Sequence, residues 1–175
     1  GDIVVPEYVT IKGRQYRVTK IGTFALKKRK KIDSKAENTN LKSIRLPNSI
    51  TRIGVGAFEY CTALTHVVMS NNLRHINVSA FSCCTSLVEI TLPNCLTGLC
   101  SYAFEYCSSL ETIVIPDSVT TIGGYAFDCC ADVTDVYITD IVAWCNIDFG
   151  YYAANPLSFS GRLYLNNILL ESLEI

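Results

Sequence analysis

Phe58, Phe81, Phe104 and Phe127 are separated by 23 residues each time, and Cys61, Cys84, Cys107 and Cys130 keep the same interval. A period this strict leaves few folds open. A unit of that length cannot enclose a core by itself, so each copy must bury its apolar face against the next. Most positions are thereby committed to stacking. Function has to be sought at the positions that escape the pattern.

Counting Leu41 as position 1, the first full unit reads LKSIRLPNSITRIGVGAFEYCTA, and later units begin at Leu64, Leu87, Leu110 and Val133. Position 4 is Ile44, Val67, Ile90, Ile113 and Val136; position 6 is Leu46, Met69, Leu92, Ile115 and Ile138. Apolar residues at every second place, with polar or variable residues between, mark a strand with one buried face. Parallel strands are therefore predicted at 41–46, 64–69, 87–92, 110–115 and 133–138. Pro47, Pro93 and Pro116 end the strand at position 7, where a ladder N–H would be needed. Asn or Asp follows at position 8 in all five units and favours a turn. A second short extended segment carries Ile50/Ile53, Leu73/Ile76, Leu96/Leu99 and Val119/Ile122 at positions 10 and 13. Ala-Phe at positions 17–18 and Cys at 21 put Phe and Cys three apart, on one face of a single helical turn.

The resulting pattern, LxxIxLPxSVTxIGxxAFxxC, is carried by LKSIRLPNSITRIGVGAFEYC and LETIVIPDSVTTIGGYAFDCC. It resembles the BspA-like leucine-rich repeats of bacterial surface and secreted proteins. The expected fold is a β-rich leucine-rich-repeat solenoid of 23-residue units, each a short parallel strand, a turn, a second short strand and one helical turn. The second unit departs most, with Ser70 in place of Pro and Asn77 in place of Gly; the third puts Cys100 at that Gly position. Such changes predict altered turns within one fold.

A single domain is expected over 1–175: an atypical N-terminal repeat at 1–40, four regular repeats at 41–132, and at 133–175 an atypical repeat, a hairpin and the start of a further repeat. In the first part, Ile3-Val4-Val5-Pro6 matches positions 4–7, and Val18, Ile21, Ala25 and Leu26 match positions 10, 13, 17 and 18. The extra stretch Val9–Val18 reads as a hairpin turning at Lys12–Gln15, and the aperiodic polar stretch 30–40 as a mobile loop. In the last part, Asp140 is placed to cap a helix over 141–145. Leu163–Leu165 and Ile168–Leu170 flank Asn166-Asn167 as a two-residue-turn hairpin. Leu170, Leu173 and Ile175 fit positions 1, 4 and 6 of one more unit, as in the terminal repeats of a longer array.

The net charge of −1 hides an asymmetry: residues 1–40 hold ten Lys/Arg against four Asp/Glu, and residues 41–175 five against twelve. The excess is mostly Lys27-Lys28-Arg29-Lys30-Lys31, read as a solvated loop, with an acidic glycan as its competing partner. No nucleic-acid partner is expected, because basic and aromatic residues are not interleaved along a face. No membrane insertion is expected either, since no apolar run approaches the roughly 18–20 residues a spanning helix needs. Gly1 reads as the remnant of a removed tag, and no signal segment opens the sequence.

Nine cysteines make at least one without an intramolecular partner. The Cys61, Cys84, Cys107 and Cys130 column is expected to be reduced and buried, packing as small hydrophobes. A bridge between neighbouring rungs satisfies the Cα distance but suits the bond's dihedral poorly; Cys95 and Cys100 share one unit and are the other candidate pair. Zinc-type CxxC or Cys/His pairs are absent, with His66 and His75 on different segments, so neither metal nor cofactor is expected. There is no phosphate loop, no nucleophile elbow and no acid/base carboxylate pair, and an enzyme is not expected.

What remains is a face. Positions 3 and 5 of the first strand point away from the core, and on successive rungs they are Ser43/Arg45, His66/Val68, Glu89/Thr91, Thr112/Val114 and Asp135/Tyr137. Solenoids commonly bind through such a strip. Taken with the resemblance, it implies a non-enzymatic protein- or glycan-binding or adhesion module, extracellular or at the cell surface. Its expected partner is a host or bacterial surface protein or glycan, with end-to-end self-association through an open terminal repeat as a further option. The alternative is a structural spacer or accessory repeat region that positions another domain.

Overall fold

The computed structural model describes residues 1–26, 37–151, 153–159 and 161–170. The basic run at 27–31, most of the expected loop at 30–40, and the Leu173 and Ile175 of the expected final unit lie outside the described residues.

Each unit is one rung of a solenoid. First strands stack in parallel as Asp2–Val4, Ser43–Arg45 and His66–Val68, and separately as Glu89–Thr91, Thr112–Val114, Asp135–Ile138 and Arg162–Leu165. They occupy the centres of the predicted segments. Second strands form one continuous parallel ladder, Lys20–Ile21, Arg52–Ile53, His75–Ile76, Gly98–Leu99, Thr121–Ile122 and Asp148–Phe149. Ile3 pairs with Ile44 and Ile21 with Ile53, which puts the N-terminal segment in the register read from its sequence.

A third ladder runs along the closing turn. The N–H groups of Gly56, Phe58 and Tyr60 donate to the carbonyls of Val78, Ala80 and Ser82 one rung on, at 2.8–2.9 Å. Ser79, Phe81 and Cys83 repeat this to Ser101, Ala103 and Glu105. Within the rung, Cys61 N–H donates to Phe58 O at 3.0 Å, so the turn holding Phe and Cys is a single one. Alternate amides can point along the stack because positions 16 and 20 are left-handed: φ is 54–61° at Ser79, Tyr102 and Tyr125, and 56–60° at Tyr60, Cys83, Tyr106 and Cys129. For residues other than glycine this conformation costs roughly 1–2 kcal/mol each, offset here by hydrogen bonds to both neighbouring rungs.

The core follows from the columns. Phe58, Phe81, Phe104 and Phe127 are fully buried and stacked nearly parallel, with centroids 4.8, 5.3 and 5.6 Å apart. At position 14 neighbouring rungs approach backbone to backbone. A Cβ on Gly123 would lie 2.5 Å from the Ser101 backbone nitrogen, so glycine is demanded by approach and not by φ. The two drifted units carry Asn77 and Cys100 there, and both still donate their backbone N–H to the preceding rung.

Ser70 marks a break. The first-strand ladder is interrupted between His66–Val68 and Glu89–Thr91, while the second-strand and turn ladders continue across. In place of proline, Ser70 is fully buried, donates its hydroxyl to Ile50 O at 2.6 Å and accepts from Asn72 N–H at 3.1 Å. That local bonding substitutes for the turn that proline sets elsewhere.

The N-terminal hairpin pairs Tyr8–Ile11 with Arg14–Arg17, and every residue of both strands is exposed. Its turn is tighter than expected: Lys12 and Gly13 alone have positive φ, 51° and 76°, as a two-residue turn requires. At the other end, Asp140 caps the helix Ile141–Cys145 through Oδ1, which accepts from the Val142 and Ala143 amides. Trp144 anchors it edge-on against Phe149 at 5.4 Å. The helix lengthens this rung by four residues: Asp135 pairs with Arg162, 27 residues on, against the usual 23. The last rung therefore begins earlier than the apolar pattern suggested. Leu163 and Leu165 hold positions 4 and 6, whereas Leu170 donates its N–H to Leu163 O from the returning arm of the hairpin. Ile168–Leu169 lies antiparallel to Arg162–Leu165 and covers that edge of the sheet.

Candidate functional site

Positions 3 and 5 do face outward, in vertical columns fixed by the register. One column runs Asp2, Ser43, His66 and then, past the break, Glu89, Thr112, Asp135, Arg162. The other runs Val4, Arg45, Val68 and then Thr91, Val114, Tyr137, Tyr164. The break at Ser70 divides the candidate strip into an N-terminal and a C-terminal patch.

The C-terminal patch is a shaped site. Thr112, Val114, Tyr137 and Thr139 line an open cleft of about 530 Å³, closed on one side by the hairpin residues Asn166 and Asn167. Tyr164 stacks on Tyr137 with centroids 4.7 Å apart and planes 16° off parallel, so Tyr137 is held as a rigid wall. Val114 is 37% exposed and offers an apolar floor beside it. Arg162 bonds Asp135 at 2.8 Å and lies 5.9 Å from the Tyr164 ring centroid. The Asp135 carboxylate raises the Arg162 pKa, by hydrogen bond first and charge second. Asn166 and Asn167 have φ of 51° and 66°, the geometry of a tight hairpin turn, which brings both to the cleft wall.

The N-terminal patch holds a smaller cleft. Arg45 and Val68 line a cleft of about 340 Å³ together with Val4, Met69 and Asn71. Ser43 is turned to Asp2, donating its hydroxyl at 2.7 Å. His66, Glu89 and Thr91 are exposed on the strip and line neither cleft. Sequence reasoning missed Arg162, Tyr164, Thr139, Asn166 and Asn167. The alternation Arg162-Leu163-Tyr164-Leu165 is the signal that could have found the first two, since it repeats positions 3 to 6 of a regular unit.

The cysteine column offers packing. Cys61, Cys84, Cys107 and Cys130 are fully buried, and all nine cysteines are free, Cys95 and Cys100 included. Cys84, Cys107 and Cys130 donate Sγ–H to the carbonyls of Phe58, Phe81 and Phe104 at 3.1–3.3 Å. Burial pushes the Cys61 and Cys130 thiols up to about 12 and raises Cys84 and Cys107 as well. These are poor nucleophiles, because the thiolate is the reactive form. On the opposite edge, position 19 stacks Glu59, Ser82, Glu105 and Asp128; Ser82 Oγ donates to Glu105 at 3.1 Å, and burial raises the Glu105 pKa. Among the described residues no group of three His, Cys, Asp or Glu is arranged around a metal-sized centre, and no helix is long and apolar enough to cross a membrane.

Comparison with known proteins bears on this geometry. Residues 30–146 match six copies of the BspA type leucine rich repeat region. A leucine rich cell surface protein from Faecalibacterium prausnitzii is similar at 30% identity and a TM-score of 0.69, over 84% of this chain and 34% of that one. The leucine rich repeat protein of T. pallidum is similar at 32% identity and 0.67, over 78% and 57%. A leucine-rich repeat protein from Bacteroides capillosus reaches 32% identity and 0.50, over 64% and 74%. The chain thus spans 34% and 57% of the length of the first two. No functionally curated protein matches it.

Proposed function

Because this chain belongs to the BspA-type leucine-rich repeat family, we propose that it is a non-catalytic recognition module of a bacterial surface or secreted protein. Its ligand is a protein or a glycan, held on the outward face of the first strands. The observation that carries this reading is the C-terminal cleft, where a tyrosine locked by stacking stands between an apolar floor and paired asparagines. A rigid aromatic wall loses little conformational entropy on binding, and the amides beside it supply direction. Spacer rungs would have no need of such a shape. The surface location draws support from the Faecalibacterium relative, described as a cell surface protein.

The test is a screen of the purified protein against a glycan array and a panel of immobilised extracellular glycoproteins. Tyr137→Ala should weaken any hit about thirtyfold, the effect of losing roughly 2 kcal/mol at an interface hot spot. Thermal stability should stay close to that of the parent. A hit that ignores Tyr137→Ala and responds only to neutralising the lysines and arginine of 27–31 would move the site to that segment. Absence of any hit would favour the spacer reading.

A further inference from the structure

What fills the cleft beside Tyr137 is set by its polar rim as much as by its aromatic wall. Tyr164 covers one face of the Tyr137 ring. Towards the other face the column steps down to Val114, a side chain too short to cover a phenol ring and itself 37% exposed. Half-buried Tyr137 thus presents a ledge, part of an aromatic face above an apolar floor. The negative face of a ring attracts the weakly positive hydrogens of C–H bonds, so a flat array of C–H groups suits it.

The polar groups around the ledge both donate and accept. Thr139 is spent, since its hydroxyl donates to Asp117 Oδ1 at 2.7 Å, and the Asn166 NH2 reaches the Thr139 carbonyl at 3.5 Å. The side chains of Asn167, Thr112 and Tyr137 have no hydrogen-bond partner among the described residues. An amide and two hydroxyls offer donors and acceptors side by side. An apolar protein side chain would use the ledge and leave these groups without partners. A pyranose ring uses both, because it has C–H bonds on one face and hydroxyls, each a donor and an acceptor, around its rim.

Charge narrows the class. No residue lining the cleft is charged. The carboxylates that border it are occupied: Asp135 by Arg162, Asp117 by Thr139 and Asp140 by the helix amides. A cationic ligand would find no counter-charge on the wall. An anionic one meets repulsion, because Arg162 is the one Lys or Arg in residues 75–175, against eleven Asp and Glu.

We infer that the cleft binds a neutral hexopyranose unit of a glycan, its C–H face against Tyr137 and its hydroxyls on Asn167 and Thr112. The inference rests on the recognition function proposed for the same cleft and narrows it. The bound unit carries no carboxylate or sulfate.

The experiment is a titration of the 15N-labelled protein with the methyl glycosides of glucose, galactose, mannose and N-acetylglucosamine. The matching glycosides of glucuronic, galacturonic and mannuronic acid are titrated beside them at constant ionic strength. At least one neutral sugar should give saturable shifts at the Thr139, Asn166 and Asn167 amides. Saturation-transfer difference spectra should show the C–H protons of one ring face closest to the protein. Tyr137→Ala should weaken that binding about thirtyfold. Asn167→Ala should weaken it about three- to tenfold, through lost hydrogen bonds. Tyr16→Ala, which removes an exposed tyrosine of the N-terminal hairpin, should leave it unchanged. The inference is overturned if no neutral sugar saturates, if a uronic acid binds as tightly as its neutral counterpart, or if binding persists in Tyr137→Ala. Its failure is told apart from that of the recognition reading by testing the glycoprotein panel before and after enzymatic deglycosylation. A hit that survives deglycosylation but is lost in Tyr137→Ala keeps the cleft as the site and makes its ligand a protein, which overturns the sugar. A hit that ignores Tyr137→Ala removes the cleft itself, and the sugar with it.

Discussion

A ring in the phenylalanine column is enclosed from above and below by copies of itself, so its burial depends on the neighbouring rungs being in register. Phe81 sits between rings at 4.8 and 5.3 Å. Phe81→Ala should therefore destabilise the protein by about 3–5 kcal/mol in urea unfolding, the usual cost of deleting a fully buried ring. Tyr137→Ala should cost about 1 kcal/mol, since it forfeits one surface stack. The cysteine column makes a pH prediction. Thiols whose folded pKa is raised from 9.0 to about 12, as at Cys61 and Cys130, keep their protons in the folded state after the unfolded chain has lost them. Their contribution is whole below pH 9 and declines as pH rises from there towards 12, at up to about 1.4 kcal/mol per pH unit for each thiol. Melting temperatures measured across that range should fall, and replacing Cys61 and Cys130 by Ala should flatten the fall. At pH 8, a thiol reagent should modify exposed Cys95 and Cys145 promptly and the column only on unfolding.

At the scale of the element, the interrupted first-strand ladder is the feature with consequences. Glu111 N–H donates to Val88 O at 2.9 Å, and Thr134 N–H to Glu111 O at 3.0 Å, but no equivalent bond ties Val88 to Thr65. Hydrogen exchange should find the Val88 amide far less protected than those of Glu111 and Thr134. Equal protection would mean that the ladder closes in solution. Ser70→Ala should cost about 1–3 kcal/mol by stranding the buried Ile50 carbonyl. The departure of Ser70 from the repeat was plain in the sequence. Its effect on the ladder was not, because that depends on how two rungs settle against each other.

The whole molecule behaves as a stack in which each rung answers to its neighbours. The N-terminal hairpin stands outside that stack, with both strands exposed throughout. Replacing residues 9–16 by a short flexible link should therefore leave the melting temperature within a few degrees of the parent. A collapse of stability would show that the hairpin is part of the core. What the sequence by itself determined was the period, the strand positions, the inward columns and the outward strip. Each follows from alternation within a unit and from identical residues meeting their copies, so each can be read one unit at a time. The tertiary structure alone decided the rest. The left-handed residues of the third ladder carry no common residue type, because their conformation is imposed by bonds to adjacent rungs. Four residues added by the capped helix moved the last rung to Arg162–Leu165 and brought Tyr164, Asn166 and Asn167 beside Tyr137. The buried hydroxyl of Ser49 is left without a partner beside the rung that the hairpin interrupts. Such meetings depend on where insertions fall between rungs, and a repeat pattern records only what the rungs have in common.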